Sequence, residues 1–222
     1  MNLCEELVIL GAGGFGREMV FIISEINRRF NRYKILGFVD NDLSLKGKTI
    51  NGYPVLGDDI WLLNYQKKVN LVICIGNPKA RERAVAKYST RCNVVFPNIV
   101  ADNAKCSDDI KMGKGCIICF SAIITVNVTL GDFVLVMNNS VIGHDSVLAD
   151  FSTILPSTTV SGNVSIGKHA EIGVGTNIIQ QKSIGKNVII GAGAVVVSDI
   201  PDNCTAVGVP AKPIKYHKLD DF

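Results

Sequence analysis

This sequence has little charge of either sign to spare: 23 Lys and Arg stand against 20 Asp and Glu, a net charge of +3 over 222 residues. No strong field points to nucleic acid, and the slight positive balance is compatible with an anionic substrate without arguing for one. No apolar run approaches the roughly 20 residues that a membrane span needs. The opening Met-Asn-Leu-Cys-Glu-Glu lacks the basic stretch and apolar core of a signal peptide, so a cytoplasmic protein is expected. Histidine is scarce, confined to His144, His169 and His217. The seven cysteines are scattered, and the lone Cys116-x-x-Cys119 has neither a second pair nor histidines at ligand spacing. No metal is therefore expected. The cysteines read as small buried hydrophobes in a reducing compartment.

Regularity is what the sequence does have. From Val100 to Val196 every sixth residue is Val, Cys, Met, Ile or Leu, seventeen positions without a break. With roughly a third of residues of these types in an average chain, chance gives about 1 in 10⁸. A fixed six-residue period is the signature of a parallel β-helix. An alternating β-sandwich would also place apolar residues between these positions, where the sequence instead has Lys-Asn, Lys-His or Asp-Phe. Glycine often follows the aliphatic residue, as at Gly113, Gly131, Gly143 and Gly173, and is expected to serve corners with positive φ. The fourth residue after each aliphatic is small or branched (Ala122, Ser140, Ser146, Thr158, Ala170), as the inside of a narrow prism requires. Three sides of six residues make one coil, so residues 18 apart stack and the array amounts to five or six coils, roughly 25 Å tall. Its apolar sides lead us to expect a symmetric trimer.

The first hundred residues follow another rule. Leu7–Leu10 is a continuous apolar run, and it leads straight into Gly11-Ala-Gly13-Gly14-Phe15-Gly16. Apolar residues then recur at helical spacing from Met19 to Phe30. Lys34–Val39 and Leu71–Ile75 read as further buried strands, Ala80–Tyr88 as a helix and Val94–Phe96 as a fourth strand. This is the order of a parallel βαβ sheet. Gly11, Gly13 and Gly16 have the spacing that lets backbone approach a phosphate at a helix N-terminus. A dinucleotide fold needs two such halves and only about one fits before Pro97, so a nucleotide diphosphate is favoured over a nicotinamide cofactor. Ligands in such sheets lie beyond the carboxyl ends of the strands, which assigns Gly13, Gly14 and Phe15, Asp40 and Asn41, and Gly76 to one substrate crevice. Arg81 stands one turn into the following helix, either near a phosphate or solvated.

His144 lies two places after Ile142, at a corner, facing out. Its neighbours one coil away are Val126 and Gly162, and a glycine there leaves room for another molecule. Asp145 follows immediately, and a carboxylate beside an imidazole orients it and raises its basicity. His144 can thus take a proton from an amine or hydroxyl attacking a thioester. His169 reads as surface.

The hexapeptide array, the ending Gly208-Val-Pro-Ala-Lys212, the Gly-rich N-terminal domain and the segment Ser140-Val-Ile-Gly-His144-Asp145 together resemble the bacterial sugar acetyltransferases of the hexapeptide family. The nearest branch is that of the sialic-acid O-acetyltransferases and the UDP-4-amino-sugar N-acetyltransferases of the bacillosamine pathway. The resemblance implies an α/β domain over residues 1–97, half of a Rossmann-like fold, that binds a nucleotide-linked amino sugar. It implies an all-β left-handed parallel β-helix over 98–222, ending in a tail, that binds acetyl-CoA between the subunits of a homotrimer. His144 would be the general base and Asp145 the acidic residue that raises its basicity. Gly162 would line the thioester end of the coenzyme site, and Val174 and Ala192 would present backbone amides to its pantetheine. Thr153 replaces a second histidine that contacts acetyl-CoA in bacillosamine-type enzymes. The expected reaction is N-acetylation of an amino sugar on a nucleotide diphosphate, with no metal. The alternatives are O-acetylation of a sugar such as sialic acid and, from another class, a non-catalytic binding or assembly partner.

Overall fold

The computed structural model describes residues 4–217; the first three residues of the opening segment and residues 218–222 of the tail lie outside the described residues. The chain forms two compact units, one ending at Pro97 and one beginning at Asn98.

In the first unit the apolar run becomes β1 (Glu5–Leu10), the central strand of its sheet. It is followed by α1 (Gly14–Phe30), which buries Met19, Val20, Ile22, Ile23 and Ile26 along one face. Next come β2 (Tyr33–Val39), β3 (Thr49–Ile50), β4 (Tyr53–Gly57), α2 (Asp59–Asn64), β5 (Val69–Ile73), α3 (Pro78–Tyr88) and β6 (Val94–Val95). Caps define the helices: the Asp58 side chain accepts from Ile60 N–H, and Asn77 accepts from Ala80 N–H with Pro78 at the first helical position. The sheet order is β3-β4-β2-β1-β5-β6. All its pairings are parallel except β3 with β4. The chain therefore reverses its direction of travel across the sheet between β1 and β5, and the crevice opens at that switch point.

Three elements were not expected from the sequence: the β3–β4 hairpin and α2. The hairpin strands are too short to show a period, but their turn carries a signal. Asn51 and Gly52 have φ of 47° and 84°, the left-handed pair that an Asn-Gly hairpin turn demands. The third expected strand, Leu71–Ile75, begins and ends two residues earlier, as Val69–Ile73.

The second unit is a left-handed parallel β-helix of two-residue strands from Ile99–Val100 to Val195–Val196. These form three sheets, joined by a closing hairpin of Cys204–Gly208 and Ala211–Tyr216. Pairing is in register at 18 residues throughout, as in Ile117↔Leu135 and Ile124↔Ile142. The aliphatic column points inward, and Ile118, Ile142, Ile154, Ile166 and Ile172 are fully buried. The small fourth residues lie beside it, also fully buried. Their hydroxyls are satisfied by carbonyls of the next coil: Ser140 Oγ donates to Leu155 O at 3.0 Å and Thr158 Oγ1 to Gly173 O at 3.0 Å. The seven cysteines are free thiols. Cys116 and Cys119 are buried, Cys106 is half-buried in the aliphatic column, and Cys92 is exposed.

The glycines call for a correction. Left-handed residues recur every six positions, but third after the aliphatic residue: Ser121, Asn127, Phe133, Asn139, Asp145, Phe151, with φ from 56° to 60°. The glycines directly after the aliphatic residue serve close approach instead. A Cβ on Gly173 would lie 2.5 Å from Ile190 O and 2.6 Å from Ala192 N, and one on Gly143 2.6 Å from Gly162 N. Coils stack too tightly there for any side chain.

This distinction is testable by thermal denaturation. Gly173→Ala is expected to lose about 1–3 kcal/mol through overpacking. Gly175→Asn should change stability by under about 0.5 kcal/mol, because Gly175 has φ of 68°, nothing within 4 Å of an added Cβ, and asparagines at the same corner position elsewhere.

Candidate active site

His144 and Asp145 lie at the corner that follows Val141–Ile142. The backbone turns there because Asp145 adopts φ of 60°, a conformation Asp tolerates better than most residues. Each coil is tied to the next through this corner: Asp145 N–H donates to Val126 O at 3.1 Å and Asn163 N–H to His144 O at 2.7 Å. The two side chains project outward, 62% and 51% exposed, and His144 Nδ1 meets Asp145 Oδ2 at 2.8 Å. The other carboxylate oxygen accepts from Asn127 Nδ2 at 3.0 Å. These bonds, that with His144 first and that with Asn127 second, hold the Asp145 carboxyl below the usual carboxylate range, so it is ionised at neutral pH. With Nδ1 engaged by a carboxylate, Nε2 is the nitrogen left to accept a proton.

Gly162 is not the open space expected. A Cβ there would lie 2.4 Å from His144 Nε2 and 2.5 Å from its Cε1, so the imidazole itself lies over the glycine. The missing side chain makes room for the ring. Thr153 lies on another face, paired with Leu135 and Glu171, and is 1% exposed, so its hydroxyl does not reach the surface. Val174 and Ala192 are exposed at a third location, the corner after the Glu171–Ile172 and Ile189–Ile190 strands. Within one chain the structure brings together His144, Asp145 and Gly162, and leaves Thr153, Val174 and Ala192 apart from them.

His169 is half-buried rather than free at the surface. Its ring lies 5.8 Å from that of Phe151 and its Nδ1 is 3.2 Å from Asn187 Oδ1. No group of three or more His, Cys, Asp or Glu side chains that could hold a metal occurs among the described residues.

In the first unit a cleft of about 360 Å³ opens at the switch point. Gly11, Asp40, Asn41, Asp59, Arg83 and Lys87 are among its lining residues. Asp40 is committed to the backbone: Oδ2 accepts from Ala12 N–H at 2.7 Å and Oδ1 from Asp42 N–H at 2.9 Å, which clamps the glycine turn to the end of β2. Asn41 Nδ2 donates to Asp59 Oδ2 at 2.9 Å. Lys87 and Tyr88 also donate to Asp59. Burial works to raise the Asp59 carboxyl, and the bonds from Lys87, Tyr88 and Asn41 together outweigh it and hold the group low. Gly13, Gly14, Phe15 and Gly76 stand on the loops leaving β1 and β5. An added Cβ at Gly13 or Gly76 would meet nothing within 4 Å, so their backbone is open to a ligand, whereas Gly16 has its would-be Cβ 1.9 Å from Gly11 O and serves only helix packing.

Arg81 corrects the sequence reading in one respect. It is fully buried, not solvated, and its Nη1 donates to Ile75 O at 2.9 Å and Gly76 O at 2.8 Å, fixing the loop after β5. Asp59, Arg83, Lys87 and Tyr88 were missed as site residues. The Asp58-Asp59 helix start was the available signal, but nothing in the sequence ties it to Lys87 across 28 residues.

Replacing Gly162 by Ala is expected to displace the His144 ring while leaving the melting temperature within a few degrees of wild type. The ¹H–¹⁵N resonances of the His144 imidazole are the direct check.

Comparison with known proteins bears on both units. The family of the PglD N-terminal domain matches residues 6–88. The chain is 33% identical over 127 residues to the GDP-perosamine N-acetyltransferase of Escherichia coli O157:H7, a match covering 56% of this chain and 56% of that protein. The chain thus spans just over half the length of that curated relative. Among solved structures, the acetyltransferase domain of PglB from Neisseria gonorrhoeae FA1090 is 30% identical, with a TM-score of 0.87, over 95% of this chain and 100% of that one. PerB from Caulobacter crescentus, solved in complex with CoA and GDP-perosamine, is 29% identical, with a TM-score of 0.85, over 96% of this chain and 99% of that one. With the hexad array, the glycine-turn domain and a relative matched along its whole length, the chain belongs to the hexapeptide-repeat sugar acetyltransferases.

Proposed function

We propose that this chain transfers an acetyl group from acetyl-CoA to the free amine of an amino sugar carried on a nucleotide diphosphate. The observation that carries the reading is the imidazole of His144, oriented by Asp145 on an exposed corner of the β-helix, in a chain similar along nearly its whole length to PerB. The names of the relatives favour an amine acceptor over a sugar hydroxyl.

Acetyl-CoA supplies an acyl group already activated as a thioester, so a positioned amine attacks it directly. A nitrogen–carbon bond forms, the carbon–sulfur bond breaks, and the electron pair leaves on the coenzyme sulfur. The proton lost by the amine passes to His144 Nε2, and Asp145, ionised beside Nδ1, stabilises the resulting imidazolium. Backbone N–H groups of the coil polarise the carbonyl oxygen. Val174 and Ala192, rather than Thr153, are the proposed contacts for the pantetheine arm. Because they lie on a different corner from His144, the site is completed in a homotrimer, with the coenzyme in the groove between neighbouring β-helices. The nucleotide lies in the cleft of the first unit. The open backbone of Gly13, Gly14 and Gly76 takes the phosphates, with Phe15 beside them. Arg83 and Lys87 supply positive charge, and Asp40 and Asn41 shape the end nearest the ribose. Such a substrate places the enzyme in the cytoplasm, where nucleotide sugars and acetyl-CoA are made.

The test is thiol release from acetyl-CoA against UDP-, GDP- and dTDP-linked 3- and 4-amino sugars, with free sialic acid included. Turnover is expected with one nucleotide-linked amino sugar. His144→Ala should lower kcat by about 10²–10⁴-fold, the usual contribution of a general base, with little change in KM for acetyl-CoA. Unchanged turnover in that variant overturns the assignment of the base, and turnover with sialic acid alone overturns the acceptor.

A further inference from the structure

The carboxylate beside His144 is itself held from behind. Its left-handed corner repeats at 18 residues, giving the column Asp109, Asn127, Asp145 and Asn163. Asp145 Oδ2 meets His144 Nδ1 at 2.8 Å while Oδ1 accepts from Asn127 Nδ2 at 3.0 Å, and Asn127 N–H in turn donates to Asp109 Oδ2 at 3.1 Å. The bonds run in one direction across three coils and end on the imidazole. We propose that Asn127, backed by Asp109, is a positioning residue for the reaction: it occupies one oxygen of Asp145 so that the other is fixed on His144 Nδ1, leaving Nε2 free to accept the proton.

The argument rests on exposure. An ion pair between side chains 62% and 51% exposed is weak by itself, because water competes for it and both side chains lose rotamer freedom in forming it. A carboxylate with two equivalent free oxygens does not select one orientation of an imidazole. Tying one oxygen to a rigid coil removes that freedom, as do the groups that orient metal-bound or catalytic histidines elsewhere. Part of the ladder is plain scaffold. Ser121 N–H donates to Asn103 Oδ1 at 3.0 Å in the same manner as Asn127 to Asp109, with no histidine at its end. What sets Asn127 apart is the second bond, from its side-chain amide to the partner of His144. The charged groups in the two columns of this corner are Asp108, Asp109, Asp145 and Asp199. The faces that meet at it carry Lys105 and Lys111 in the first coil and no charge at the level of His144.

The proposal rests on the reading of His144 as the base for its effect on rate, but its effect on the imidazole is independent of that reading. Asn127 has φ of 59°, and Gly115, Gly175 and Gly193 hold the same register at 68° while Ser121 and Ser157 hold it at 58° and 59°. Asn127→Gly and Asn127→Ser therefore delete the amide without straining the corner, and either one serves if the other folds poorly. The ring nitrogens of His144 are observed by ¹⁵N NMR through a pH titration of the full chain, alongside kcat and KM. Wild type is expected to hold the proton on Nδ1. In Asn127→Gly a mixture of tautomers, a lowered His144 titration midpoint and a kcat reduced about 5- to 20-fold with unchanged KM for acetyl-CoA are expected. Asn127→Asp, which sets a second carboxylate against Asp145, should move the midpoint upward instead. Opposite shifts from two substitutions at one scaffold position are not what a merely structural role gives. An imidazole with wild-type tautomer and midpoint in Asn127→Gly overturns the proposal whatever the turnover. Wild-type turnover in His144→Ala overturns the base and leaves the tautomer result standing.

Discussion

Backbone hydrogen bonds between coils at a fixed offset of 18 residues are the constraint on which the second unit depends. The amides of each two-residue strand donate to the coil beyond, as Ile117 N–H does to Val134 O at 3.0 Å and Leu135 N–H to Ser152 O at 3.0 Å. That ladder leaves each side chain one assigned direction. The second residue of each strand enters the prism, and the glycine after it lets the next coil approach. The third residue after it turns the chain in the left-handed conformation, and the small fourth residue fills the space beside the aliphatic column. A side chain at a corner is thereby fixed in position even when it is half exposed. That is the condition a catalytic imidazole needs and a loop seldom provides.

The β-helix was legible because one physical requirement repeats without interruption. The reasons behind individual residues were less so. Glycine after the aliphatic residue suggested positive φ, whereas Gly143 and Gly173 answer to steric approach and the left-handed positions are filled by Asn, Ser, Phe, Asp and His. Sequence spacing identified the pairing of His144 with Asp145 and the stacking of Gly162, but not that the ring itself occupies the space over the glycine. In the first unit the strand and glycine turn around Gly11 and Gly16 were plain from a buried run meeting a phosphate-type spacing. The side chains that close the cleft were hidden. Asp59 collects Asn41, Lys87 and Tyr88 from three separate elements, and no local pattern announces a partnership spread across 46 residues. Arg81 shows the same limit: its position on a helix says nothing of the two carbonyls it has been drawn inward to satisfy.

Both units make their candidate sites by spending side chains on geometry. Asp40 has a bond on each carboxylate oxygen and holds the glycine turn rather than standing free, and Asp145 likewise divides its oxygens between Asn127 and His144. In each case a carboxylate that looks from the sequence like a ligand-binding group is also the fastener of the surface that would meet the ligand. Removing it would blur a shape as well as delete a charge, so loss of function in such a variant has two causes to separate.

The offset of 18 residues also governs how such a protein can change length. A gain or loss of one whole turn leaves every inward position inward and every corner a corner, so the two faces of the break rejoin without a seam. Removing six residues keeps the inside in but hands each strand beyond the cut to a different side of the prism, moving His144 to another edge from its present neighbours. Removing any other number turns the interior outward. Length in this half of the molecule is quantised, and members of such a lineage are free to grow taller or shorter by storeys but not by fractions of one.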